Sequence, residues 1–299
     1  MTGSAWPPTI GSAMRARLLV LAAAVLFSTG GAAIKSTSLT AWQVASFRSA
    51  VAAVAIVVML RGARRVPDGP TWLVGGVYAA TMVLFVLANK LTTAANAIYL
   101  QGTAPLYILL TAPFLLREAV RRADVVFMGA LALGLAAFFM GQEPASGTAP
   151  HPALGNMAAL GSGLTWAGTV MGLRYLGRRR PDDARATEPS LVAGNVLAAT
   201  LTLPMALPLG DVLVQDAVII VFLGVFQIGL AYVCLSTGIG RVPALEASLL
   251  LLVEPVLNPI WAWIVHGEAP GEWPLAGGAV IMAATAIRTV WNVREARRR

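Results

Sequence analysis

Ten mostly apolar stretches of about 20 residues run through the chain, approximately 16–34, 41–61, 72–89, 94–115, 123–141, 153–176, 188–207, 216–238, 243–265 and 273–293, with only short connections between them. At a rise of about 1.5 Å per helical residue, each is long enough to cross a hydrocarbon layer of roughly 30 Å. Of 299 residues, 57% are hydrophobic before the 29 glycines are counted, and only 12% are charged. A water-soluble globule so composed would expose more apolar surface than it could hide, which excludes soluble enzymes, nucleic-acid binders and disordered chains. The pattern predicts an all-α integral membrane protein of ten transmembrane helices.

The net charge of +8 matters less than where the charges fall. With the amino terminus placed in the cytoplasm, nineteen of the 22 basic residues sort to the inner side, among them Arg61, Arg64, Arg65, Arg117, Arg121 and Arg178 to Arg180. Lys35 and Lys90 fall outside and Arg48 lies within the second span, while the outer loops hold Glu143, Asp211, Glu268 and Glu272. Cytoplasmic loops collect Lys and Arg, so this sorting predicts both termini in the cytoplasm. Residues 16–34, preceded by Arg15 and Arg17, have the outline of a signal peptide, but removing them would leave nine spans and reverse every loop.

Shifting the chain by 150 residues pairs Ala94 with Ala244, Ala97 with Ala247, Leu100 with Leu250, Pro105 with Pro255, Ala112 with Ala262 and Glu118 with Glu268. The fourth and ninth spans read as copies, each with a proline near mid-membrane and a glutamate past the exit. Five spans is an odd number, so a second copy enters the membrane from the opposite side. The expected architecture is therefore two inverted five-helix repeats, residues 1–146 and 147–299, the recurring plan of secondary transporters with a site at mid-bilayer.

Three segments carry a family resemblance: ASFRSAVAA around Arg48, TAPLYILLTAPFLLREAVRRADVVFMGALALG across the fourth and fifth spans, and LLLVEPVLNPIWAWIVHGEAPGEWPLAGGAVIMAA across the ninth and tenth. The chain resembles the EamA-type ten-helix members of the drug/metabolite transporter superfamily over nearly its whole length, and within them the bacterial exporters of amino acids, aromatic ones in particular. The sixth span keeps TWAG with Trp166, whereas the first has Phe27 and Ser28 where a Trp before the Gly is common in the family.

Polar groups within hydrocarbon are costly and so face a cavity or one another. Arg48 and Glu254 are the central charges: they either line or gate a cavity, Glu254 being a candidate for proton coupling, or pair with each other or with carbonyls freed by Pro255. Tyr78, Asn96, Tyr99, Gln101, Trp166, Gln227 and Tyr232 are the candidate substrate-binding set, with interhelical hydrogen bonding as their alternative use. Rings and amides together suit an amphipathic neutral or zwitterionic solute. Pro105 and Pro255 complete the gating candidates, and Glu246 is expected near the inner interface. Trp72, Trp273 and Trp291 read as interfacial anchors. Gly168 and Gly172, with Ala159, Gly163 and Ala167, read as close-packing surfaces. The fifth and tenth spans, with almost no interior polar groups, read as peripheral scaffold and possible dimer surface.

No P-loop, HExxH or G-x-S-x-G pattern occurs, and His151 and His266 are expected in outer loops, away from metal-ligand spacing. The single Cys234 forms no intrachain disulfide and reads as a packing residue. The expectation is a non-enzymatic carrier without cofactor, metal or nucleic-acid partner, a monomer or homodimer in the bacterial cytoplasmic (inner) membrane. It exports small metabolites, amino acids including aromatic ones, by facilitated diffusion through alternating access. Proton-coupled drug or metabolite efflux, and a channel or non-transporting scaffold, are the alternatives.

Overall fold

The structure, a computed structural model, describes residues 10–115, 122–140, 144–181, 183, 185–239, 241–242, 247 and 250–297. Glu118, Ala244 and Glu246, and the basic residues Arg117 and Arg121, lie outside them. The described residues are almost wholly helical and contain no strand beyond an isolated bridge between Ser146 and Ala149. The helices are α1 (Ile10–Ser28), α2 (Gly30–Lys35), α3 (Ala41–Met59), α4 (Gly69–Leu91), α5 (Ala94–Gln101), α6 (Ala104–Leu115), α7 (Arg122–Met140), α8 (Pro152–Arg179), α9 (Glu188–Ala206), α10 (Val214–Val221), a π-helical segment (Phe222–Leu230), α11 (Ala231–Ile239), α12 (Val253–His266) and α13 (Glu272–Arg297).

Local chemistry sets these boundaries. Thr40 and Gln43 form a capping box ahead of α3. Asp68 caps α4 through the Thr71 N–H, and Thr93 caps α5 through the Asn96 N–H. Pro70, Pro152 and Pro189 sit in first turns, where a missing N–H costs nothing. Gly267 ends α12 with φ of 64°, a left-handed conformation open to glycine.

Among the described residues, six helices are long and apolar enough to cross a membrane: Met14–Lys35, Ala41–Met59, Gly69–Leu91, Glu188–Ala206, Val214–Ile239 and Glu272–Trp291. The helix surfaces are inverted relative to a soluble bundle. Val54 and Val58 on α3, Leu164 on α8 and Leu201 on α9 are exposed, whereas Ser46, Arg48, Thr81, Ser162, Thr169 and Asn195 are buried. Buried Ser46 donates to Ala199 O at 2.8 Å, and Thr81 and Thr169 meet at 3.3 Å. Apolar out and hydrogen-bonded polar in is the arrangement a helix adopts in lipid, and the chain is a multi-pass membrane protein.

Packing is cross-linked between the two ends of the sequence. α4 lies on α8 and α9; the run from α10 to α11 lies on α1 and α3; α3 meets α9, and α7 meets α13. Close approach rests on the small residues singled out above. A Cβ added at Gly168 or Gly172 would stand 2.9 or 2.8 Å from Val77 or Val74 of α4. A Cβ at Gly163 would stand 3.1 Å from Leu100 O.

The structure departs from the sequence expectation in several ways. The first span is divided at Thr29 and the fourth at Gly102–Thr103, and the eighth contains the π segment. The fifth and tenth spans are not free of interior charge: buried Asp124 of α7 takes the Arg288 guanidinium of α13. Glu268 is not in an aqueous loop but 8% exposed, because Lys35 and the start of α5 close over it. His266 ends α12, and its ring bonds to Ala32 O at 2.9 Å.

Candidate functional site

A cavity of about 300 Å³ opens where the helix breaks converge. Gly102 and Thr103 interrupt the fourth span just ahead of Pro105, and helical residues 250 and 251 give way to a turn at Leu252 before α12 begins. Pro105 and Pro255 each fall in the first turn beyond the interruption, where the absent N–H leaves no bond unmade. The two breaks stand 150 residues apart, matching the sequence shift.

Of the candidate residues, Arg48, Tyr99, Gln101, Pro105, Trp166, Gln227, Tyr232, Glu254 and Pro255 line this cavity. Arg48 comes from the middle of α3 and is 1% exposed, donating from Nη2 to Met82 O at 3.1 Å, while its Nε has no protein partner. No ion pair joins Arg48 to Glu254, so the cavity wall carries a cation and a carboxyl group that do not neutralise each other directly. Tyr232 stands with Phe27 at 5.1 Å between ring centroids, edge to face. Gln227 belongs to the π segment, the helix form that recurs at functional sites. Its Nε2 reaches Phe27 O at 3.4 Å and its Oε1, buried, has no protein partner. Gln101 donates to Ser162 Oγ at 2.8 Å.

Tyr78 and Asn96 are not in the cavity wall. Tyr78, 1% exposed, lies behind Tyr232 with ring centroids 6.0 Å apart, and its hydroxyl accepts from Asn195 Nδ2 at 3.4 Å. Asn96 ties α5 to α8, donating to Asn156 Oδ1 at 3.2 Å. Both serve interhelical bonding, the other use open to a polar side chain in hydrocarbon.

Most of the remaining wall is apolar: Phe27, Met82, Phe85, Ile98, Leu235, Ile281 and Met282. Such residues read in sequence like lipid-facing ones. Thr285 was findable, being the hydroxyl in the middle of the tenth span, and with Ile281 and Met282 it makes α13 part of the wall rather than a peripheral scaffold. Gly278, one turn ahead of Ile281 and Met282, admits the Tyr99 ring, which a Cβ there would meet at 2.5 Å. Trp72, Trp273 and Trp291 are exposed on the outer surface. No three His, Cys, Asp or Glu gather into a metal-sized cluster among the described residues.

No curated protein matches the chain. Among solved structures, a crystal structure of a protein 21% identical superposes with a TM-score of 0.62, covering 93% of this chain and 98% of that one, a likeness of fold. In sequence, residues 153–290 match the model of the EamA-like transporter family.

Proposed function

We propose that this chain is a secondary transporter that carries small metabolites, amino acids with aromatic members among them, by rocking two inverted five-helix halves, residues 1–146 and 147–299, around the central cavity. In this reading ten spans cross a bacterial cytoplasmic (inner) membrane with both termini inside, and export runs down the solute gradient without a cofactor, the protein acting as a monomer or homodimer. The EamA-like match and the reciprocal packing, α4 on α8 and α9 against α10–α11 on α1 and α3, support the two-half arrangement.

The observation that carries the proposal is the cavity at the two helix breaks, where Arg48, Glu254, Gln101 and Gln227 share one small space with Tyr99, Trp166 and Tyr232. A carboxylate finds a cation there, an ammonium finds a carboxylate, and a side chain of the solute finds rings and aliphatic groups. A second reading, proton-coupled efflux of cationic or hydrophobic drugs, draws on Glu254, which faces the cavity without an ion pair to Arg48.

Proteoliposomes loaded with radiolabelled amino acid test this by counterflow, with aromatic, aliphatic and charged amino acids as competitors. Trp166→Ala and Gln227→Ala are expected to slow exchange about tenfold, the equivalent of roughly 1.4 kcal/mol of lost contact, while Trp291→Ala leaves it unchanged. Equal loss in all three at matched abundance overturns the assignment of the cavity. Stimulation by a proton gradient, with loss in Glu254→Gln, favours the second reading.

A further inference from the structure

The end of the molecule that carries Lys35 and Lys90 is drawn together by buried polar groups that the cavity does not use. Lys35 Nζ lies 3.1 Å from Glu268 Oε2, with both side chains under 5% exposed. The same ammonium donates to Thr92 O at 2.7 Å and to Thr148 O. The other Glu268 oxygen accepts from the Ala94 N–H, at the first turn of α5, at 2.5 Å. One ion pair thus joins four segments: the end of α2, the start of α5, the turn before α8, and the segment leaving α12. Lys35, Thr92 and Ala94 come from residues 1–146 and Thr148 and Glu268 from residues 147–299, so the cluster binds one half of the sequence to the other.

Its position relative to the cavity is what gives this cluster meaning. Ala94 lies one turn, about 6 Å at the helical rise, above Ile98, which is in the cavity wall. Through Ala94 the pair is thus held one helical turn from the cavity wall along α5. Around it stand Lys90 on Thr37 O at 2.7 Å, Asp216 on the Ser38 N–H at 2.8 Å, and His266 on Ala32 O.

We infer that Lys35 and Glu268 form the latch of a gate at this end, engaged in the structure, and that the cavity opens there only when the pair separates. This rests on the carrier reading above. A charge pair is suited to the task because closing strips water from both ions and opening returns it, so the Coulomb gain and the desolvation cost nearly cancel. A purely apolar seal has no such return on opening.

Cysteine accessibility in intact cells tests the latch without measuring transport. In a Cys234→Ser background, Ile98→Cys reports the cavity wall and Val212→Cys, exposed at the same end, gives the rate of free access to a membrane-impermeant thiol reagent. Glu268→Gln keeps an acceptor for Ala94, and Lys35→Met keeps the length of the side chain. Each is expected to raise labelling of Ile98→Cys about tenfold, a tenfold shift of the closed–open equilibrium, whereas Lys35→Arg keeps it near the parent rate. Unchanged labelling in both neutral variants, or equally fast labelling in Lys35→Arg, overturns the inference. So does loss of the monodisperse peak in gel filtration for the neutral variants alone, which marks the pair as a static staple. Solute counterflow with unchanged labelling removes the latch and leaves the carrier; fast labelling without counterflow removes the carrier and leaves the gate.

Discussion

At the lysine-bearing end, the side chains of Lys35 and Glu268 are 3% and 4% exposed; at the arginine-bearing end, those of Arg65, Arg179 and Arg180, paired with Asp183 and Asp68, are nearly half exposed. The chemical partners are the same kind, a cation and a carboxylate, but water decides what each pair does. Exposed ions keep most of their hydration when the pair forms, and so lose little when it breaks. Buried ions have surrendered theirs, so removing one partner strands the other. The arginine-bearing pairs dress the junctions between α3, α4, α8 and α9. The lysine-bearing pair ties α2 and α5 to the segment leaving α12, one helical turn from the cavity wall.

The largest expected contrast follows from stranding a charge. Lys35→Met leaves Glu268 buried without its cation and is expected to lower the thermal midpoint in detergent measurably. Asp183→Asn removes an exposed partner of Arg65 and is expected to leave the thermal midpoint in detergent within error. Similar shifts for the two variants would erase the distinction between the ends. Salt gives a smaller, sharper comparison. Raising ionic strength from about 0.1 to 1 M shortens the screening length from roughly 10 to 3 Å. Any destabilisation by Arg180→Gln, whose guanidinium meets Asp68 Oδ2 at 3.2 Å, should vanish at the higher salt, while that of Lys35→Met persists. Loss of both effects would mean that the Lys35–Glu268 pair is reached by solvent ions.

The same physics sets what could be read in the sequence. Membrane helices are written in long apolar runs, because the bilayer constrains every span alike. Charged and amide side chains within those runs are few enough to point inward, and Arg48, Glu254, Gln101 and Gln227 do share a cavity. Tyr78 and Asn96 show the limit: a polar side chain in hydrocarbon is equally satisfied by a neighbouring helix, and nothing in its spacing tells which. Phe85, Ile281 and Met282 were illegible for a different reason, since a cavity wall and a lipid-facing surface select the same apolar residues. The break at Gly102 is announced by glycine and Pro105, but the π segment has no such marker in FLGVFQIGL. Glu268 was misplaced because a short loop reads as aqueous; only the approach of α2 and α5 from elsewhere in the chain buries it.

Acid gives the smallest expected effect, confined to the arginine-bearing end. The Thr71 hydroxyl and N–H, and then Arg180 and Arg179, hold the Asp68 carboxyl below the usual aspartate range. The Arg185 N–H, and then Arg65, do the same for Asp183. A carboxyl depressed in the folded state contributes stability above its unfolded titration and loses it as pH falls through the folded value. Between pH 5 and 8 both groups stay ionised, so their contribution is flat, and it fades only in acid below the ordinary aspartate range. Both carboxyls face solvent, which keeps the change small. Asp68→Asn preserves an acceptor for the α4 cap and removes the titrating group, so its thermal midpoint should track the parent at neutral pH and flatten in acid. A slope between pH 5 and 8 that disappears in Asp68→Asn would mean that Asp68 titrates well above that range, and the view of this end as a solvated, weakly coupled surface would fail.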